Sequence, residues 1–155
     1  MTRCDGRAER VPVLDEETSG VAKGRLNPDC VVCGQENPIG LQLAFEADGN
    51  ASMAWWTASA GWESFKGVIH GGVICAILDE AMSQAAIGAG YTALTAELRV
   101  RFRKKVSVDD ELCVRGWVVG VRKRKIMAEA SLTAADGAEK AHAWATFLMT
   151  GYSRG

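Results

Sequence analysis

The stretch Gly67-Val-Ile-His-Gly-Gly-Val-Ile-Cys-Ala-Ile-Leu-Asp-Glu-Ala-Met-Ser-Gln-Ala-Ala-Ile87 decides how the rest of the chain is read. Its start, with three glycines around His70, reads as a turn. The remainder spaces Val73, Ile74, Ile77, Leu78, Ala81, Met82 and Ala85 as the faces of one helix between Gly71 and Ala89. These residues cover so much of the circumference that the helix is expected to be surrounded by protein. Gly88 and Gly90 end it. Asp79 interrupts the apolar surface, and an unpaired carboxylate buried there is costly. Catalysis is a sufficient reason to keep it. Glu80 points about 100° away around the helix and reads as structural.

Outward from the helix the chain reads as strands. Before it, Leu41–Glu46 alternates like a strand, Asp48-Gly49-Asn50 is a turn signal, and Ala51–Thr57 is its hairpin partner. After it, Thr95–Arg103 alternates with Ala96, Leu98, Val100 and Phe102 on one face. Glu111–Val121 and Lys125–Ala134 follow, joined by the tight basic turn Arg122-Lys123-Arg124. Asp136-Gly137 is a hairpin signal, and Lys140–Met149 completes the series. The predicted order is two strands, one long helix, then an antiparallel meander, an α+β domain whose curved sheet wraps a central helix. No internal repeat or second domain is visible.

Composition narrows the function. At 155 residues the chain is long enough for one core and too short for two. Eighteen basic residues against nineteen acidic ones exclude a molecule built to coat nucleic acid or membrane. No apolar run approaches the ~20 residues that span a bilayer, and the first residues lack a signal-peptide core. Five cysteines, an odd number at irregular spacing, suit reduced thiols and a cytoplasmic setting. Residues 1–28 carry mixed charge without periodicity and are expected to form a loose arm ahead of a single domain over 29–155. Cys30-Val-Val-Cys33 raises zinc and redox readings. A structural zinc needs about four ligands, no second pair follows, and a strand rather than a helix comes next. The pair is therefore read as a structural turn, with no metal or redox cofactor expected.

His70-Gly-Gly, then six residues, then Asp79-Glu-Ala, followed by Thr95-Ala-Glu-Leu-Arg-Val-Arg-Phe, resembles the hotdog-fold acyl-CoA thioesterases. Among them it looks like the phenylacetyl-CoA thioesterase type, with its relatives acting on hydroxybenzoyl-CoA. The resemblance covers about residues 30–150. Cys-x-x-Cys-Gly and Asn37-Pro-x-Gly-Leu match one branch of the group. It implies hydrolysis of an acyl-CoA thioester, with coenzyme A as part of the substrate and no other cofactor. It also implies a homodimer at least, with a tetramer open, and no nucleic-acid or membrane partner.

The residues support that chemistry. Gly71 and Gly72 open the helix, where unpaired N–H groups and the dipole favour an oxyanion and the missing side chains admit a thioester carbonyl. The family places the polarising N–H at Gly71. Asp79 lies eight residues on, roughly 12 Å along the axis, so it cannot readily reach a carbonyl held at its own helix start. Two helices side by side across a two-fold axis solve this, and the resemblance implies the same dimeric site. Asp79 then activates water or attacks the thioester carbon itself. His70 either orients the site or fixes the turn. Ser83, one helical turn past Asp79, and Thr95 match hydroxyls used by relatives.

Relatives often carry an Asn or Gln before His-Gly-Gly to orient substrate. The corresponding place here is near Ser64, beside Glu63, and Asn37 is the candidate amide from elsewhere. Where relatives tend to have a proline after Arg-Phe, this chain has Lys104-Lys105. Arg101, Arg103 and Lys104, together with Arg122 and Lys123, are candidate contacts for the phosphates of coenzyme A, or else solvated edge charge. Trp62 is a candidate wall of the acyl pocket. Two rivals remain. One is a non-catalytic acyl-CoA-binding hotdog protein acting as sensor or scaffold. The other is a hotdog hydroxyacyl dehydratase, suggested by Glu80-Ala-Met-Ser-Gln-Ala but lacking the His-Phe-Pro loop.

Overall fold

A computed structural model of the chain describes residues 27–152. Helix α1 (Gly71–Gly88) forms where the apolar spacing places it. Ile74, Ile77, Leu78, Ala81, Met82, Ala85 and Ala86 are all buried, and the helix touches every strand of the sheet. Those strands are β1 (Glu46–Asp48), β2 (Ala51–Thr57), β3 (Tyr91–Phe102), β4 (Glu111–Arg122), β5 (Lys125–Ala134) and β6 (Glu139–Tyr152). They form one antiparallel sheet in the order β1-β2-β4-β5-β6-β3, wrapped around α1 as the hotdog resemblance implies. One face of β5 and β6 supplies Ile126, Ala128, Ala130, Leu132, Ala141, Ala143 and Phe147 to the core. Small residues dominate this list because the helix backbone lies close to the sheet.

That closeness has a local cause. A Cβ at Gly116 on β4 would lie 2.3 Å from the Ala81 carbonyl oxygen, so only glycine lets α1 settle this deeply. The same carbonyl accepts a hydrogen bond of 2.6 Å from the buried Ser52 hydroxyl on β2. Helix, β2 and β4 are thereby locked at one point, and the buried hydroxyl is satisfied.

Three features depart from the sequence reading. The predicted strand over Leu41–Glu46 is almost entirely lost, and β1 begins only at Glu46. The Leu41 and Leu43 N–H groups bond instead to the Val31 and Val32 carbonyls (2.8 and 2.9 Å), with Gln42 between them at φ 53°. The segment is spent on holding the Cys30–Cys33 turn. Second, β3 begins at Tyr91, four residues early, directly after the helix. Third, its alternation is not clean. Thr95 pairs with Phe147 and Glu97 with Thr146, leaving Ala96 as an unpaired bulge. Tyr91 and Ala93 pack on the core before the bulge, and Leu98 and Val100 after it. The extra residue switches which positions face inward, and Ala96 is exposed rather than core.

The arm expected over 1–28 lies outside the described residues except for its last two positions. Among the described residues, no helix is long and apolar enough to cross a membrane.

Candidate active site

The site is built on one face of α1. Cys75, Asp79 and Ser83 succeed one another at intervals of four, so their side chains line a single stripe. Asp79 is half-buried, and its Oδ1 accepts a 2.8 Å hydrogen bond from the Thr95 hydroxyl on β3. The bulge at Ala96 makes this possible, because unbroken alternation from Leu98 and Val100 would turn Thr95 away from the helix. Burial pushes the Asp79 carboxyl above its ordinary value. The Thr95 bond pulls it partly back, and the neighbouring Glu80 charge adds to the rise. Burial, and then the Asp79 charge, hold the Cys75 thiol high as well. The Ser83 hydroxyl has no hydrogen-bond partner among the described residues. Cys75 was missed in the sequence, although its place four residues before Asp79 was the available signal.

The helix start is the second part. His70 is the N-cap, with φ −63° and ψ 133°, and its Nδ1 accepts the Gly72 N–H at 2.8 Å. That bond places the imidazole proton on Nε2 in the neutral ring. The Val73 and Ile74 N–H groups turn back to the His70 carbonyl (3.0 and 3.3 Å). Gly71 alone of these four keeps an N–H with no partner among the described residues. The expected pair of donors at Gly71 and Gly72 is thus reduced to one, because the second is committed to the cap. Beside Gly71 stands the Phe102 ring, 3.4 Å from where a Cβ would sit. Since α1 and β3 run antiparallel, the helix start lies at the Phe102 end of β3 and Asp79 lies at Thr95.

The substrate-binding candidates are scattered. Trp62 is half-buried below the cap, and its carbonyl receives the His70 N–H at 2.8 Å. Ser64 is drawn into the same loop, its N–H bonded to the Val68 carbonyl at 2.8 Å and its hydroxyl facing that carbonyl. Asn37 spends its amide inside its own loop, donating to the Asp29 carbonyl (2.9 Å) and accepting from the Ile39 N–H (3.0 Å). It is a loop-forming residue and supplies no free amide. Arg101, Arg103 and Lys104 lie at the Phe102 end of the sheet, with Arg103 paired to Glu139 at 2.7 Å. The Arg122-Lys123 turn lies at the other end, since Lys125 pairs with Leu148 and Leu148 with Leu94. The two basic clusters therefore do not form one site within a single chain. A groove lined by Glu97, Arg99, Glu129 and Trp144 opens on the outer face of the sheet, away from the helix.

Comparison with known proteins agrees with this architecture. The Thioesterase superfamily model matches residues 66–141, from the loop before His70 to β6. No protein of curated function matches significantly. A solved structure described as a thioesterase superfamily protein superposes with a TM-score of 0.73 at 24% identity, over 77% of this chain and 62% of its own. A hypothetical thioesterase of Streptococcus pneumoniae with coenzyme A gives 0.68 at 19%, over 71% of this chain and 87% of its own. Two further structures of that protein carry alanine for an aspartate and for a threonine sixteen positions later. The PaaI protein of the E. coli phenylacetic acid degradation operon gives 0.69 at 17%, over 73% of this chain and 83% of its own. Sequence model and fold point the same way: residues 66–141 match the Thioesterase superfamily, and the chain has the hotdog fold of the solved thioesterases it resembles.

Proposed function

We propose that the chain hydrolyses acyl-CoA thioesters, with Asp79 as base or nucleophile and the Gly71 N–H of a second copy as the oxyanion donor. The observation that carries this reading is the Thr95–Asp79 bond, which orients a half-buried carboxylate on the central helix. Asp79 takes a proton from a water whose oxygen bonds to the carbonyl carbon, or bonds to that carbon directly. In either route negative charge grows on the carbonyl oxygen, where a helix-start N–H is worth most. The C–S bond then breaks, and coenzyme A leaves as a thiolate that needs little acid assistance; on the direct route a water then cleaves the acyl–Asp79 anhydride, releasing the acid and restoring the carboxylate. Asp79 and Thr95 are sixteen positions apart, the same spacing as the residues replaced in the S. pneumoniae protein. The coenzyme A bound to that protein supports the same ligand class here.

The second copy follows from geometry. Gly71 and Asp79 of one helix are separated by roughly 12 Å along its axis. Strand β3 is an open edge of the sheet and exposes Leu94 (68%) and Phe102 (51%), with Phe65 (80%) in the loop before the helix. An apolar edge of this kind invites pairing with another chain. Two β3 strands paired about a two-fold axis run antiparallel, so the partner's Phe102 end, with its Gly71, comes beside this chain's Leu94 end. The same pairing brings the two basic clusters, one from each copy, to a common end.

Thiol release from aliphatic and aromatic acyl-CoA thioesters, followed with a thiol-trapping dye, tests the reading. Turnover of one acyl class supports it. Tight acyl-CoA binding with no turnover of any thioester would replace it with a ligand-binding protein. That second reading draws on one observation, the lack of a free amide at either Ser64 or Asn37.

A further inference from the structure

On the side of α1 turned away from Asp79, the fold assembles a group that spacing alone does not reveal. Cys30 and Cys33 come from the loop ahead of the sheet and Glu80 from the middle of the helix. Their Sγ and carboxylate atoms all lie within 4.8 Å of one another, and each residue is half-buried. We propose that Cys30, Cys33 and Glu80 bind one thiophilic divalent cation of the zinc class, which clamps the loop over residues 27–43 to α1.

The loop is shaped for this. The Val32 N–H points at Cys30 Sγ (3.4 Å), and the Gly34 N–H closes on the Cys30 carbonyl (3.0 Å). A Cβ at Gly34 would lie 2.4 Å from both the Cys30 nitrogen and the Pro28 carbonyl oxygen, so only glycine permits so tight a turn. The turn aims both sulfurs at the helix, Cys30 Sγ at Glu80 and Cys33 Sγ at Gln84. The Leu41 and Leu43 N–H groups hold the turn in place through the Val31 and Val32 carbonyls.

The helix side is equally prepared. Gln84, only 5% exposed, donates to Glu80 Oε1 at 2.7 Å and reaches Cys33 Sγ at 3.6 Å. A buried amide that fixes a carboxylate in this way is the usual support behind a metal ligand. Glu80 Oε2 faces Cys30 Sγ at 3.8 Å. Glu80 forms no ion pair among the described residues, so a half-buried carboxylate stands between two thiols without a basic side chain to offset it. A cation supplies that charge. Two sulfurs and a carboxylate suit zinc, whereas magnesium and calcium take oxygen donors. A tetrahedral ion with bonds of about 2.0–2.3 Å holds its donors about 3.5–3.8 Å apart, so a contraction of roughly 1 Å completes the site, with water in the fourth position.

The test uses the full chain, reduced, with elemental analysis as purified and titration of the metal-stripped protein with cobalt(II). One metal per chain and a thiolate-to-cobalt charge-transfer absorption are expected. Cys30→Ser and Cys33→Ser should each abolish that absorption. Glu80→Gln should weaken binding at least tenfold, and Gln84→Ala about tenfold with the stoichiometry unchanged. A chelator should lower the Tm of the wild type and leave that of Cys33→Ser unmoved. Should the cysteine variants fail to fold, the wild-type titration and Glu80→Gln decide alone. Absence of metal uptake by the reduced protein overturns the proposal. So does a Cys30–Cys33 disulfide that, once reduced, still takes up no metal, or a cobalt affinity indifferent to Glu80→Gln.

Discussion

The Thr95 hydroxyl reaches Asp79 Oδ1 at 2.8 Å because one extra residue, Ala96, breaks the alternation of β3. Without that bulge the hydroxyl would face the outside of the sheet, and the carboxylate would lack its hydrogen-bond donor. Thr95→Val keeps the shape and removes the bond. The Asp79 carboxyl should then rise further, since Thr95 is the group that lowers it. The acidic limb of the kcat/KM profile should move to higher pH, and kcat should fall about tenfold, the scale of one hydrogen bond to a charged group. A pH–rate profile beside the wild type reads both; an unchanged limb would separate Thr95 from the ionisation.

Gly71 offers a backbone test of the oxyanion donor. It is the first helical residue, where proline is tolerated because its N–H is spare, and His70 already has the extended conformation a following proline demands. Gly71→Pro should therefore fold, with helicity retained by circular dichroism, while losing about 10²–10³ in kcat. Wild-type turnover in that variant would assign the oxyanion to another donor.

Burial leaves a thermodynamic mark on Asp79. Its folded pKa is raised, so this group's stabilising contribution is complete below the unfolded carboxylate value of about 3.9 and is lost as pH rises through the folded value. Asp79→Asn should match the wild type in Tm near pH 3, apart from a constant offset, and gain on it towards pH 7. Thermal melts across that range show the divergence; parallel curves would mean the carboxylate is not desolvated.

The β3 edge is tested by Leu94→Glu, which places charge on the exposed apolar edge. Light scattering should show monomers, and turnover should fall in proportion. A monomer that works at the wild-type rate would put the whole site within one chain.

Much of this was legible beforehand. The helix was written in the spacing from Val73 to Ala85, and the meander in the alternation of its strands, because burial imposes those periods directly. Asp79 stood out as a charge in an apolar frame. The rest depended on contacts between distant segments. The Ala96 bulge has no local signature, so Thr95 was marked by resemblance while its own alternation pointed it outward. Leu41–Glu46 looked like a strand because its side chains alternate, but its N–H groups found the Cys30–Cys33 turn instead. Gly72 looked equivalent to Gly71 until His70 Nδ1 took its N–H. Glu80 beside the cysteine pair, fifty positions from Cys30, is a product of the fold alone.

Whether Asp79 acts on the thioester is read from steady-state kinetics of Asp79→Asn on the best acyl-CoA substrate. The variant should fold and keep its KM within a few-fold of the wild type while kcat falls about 10²–10⁴-fold, the loss of a general base or nucleophile. An Asp79→Asn protein that releases coenzyme A at the wild-type rate would contradict that role and send the search to another residue.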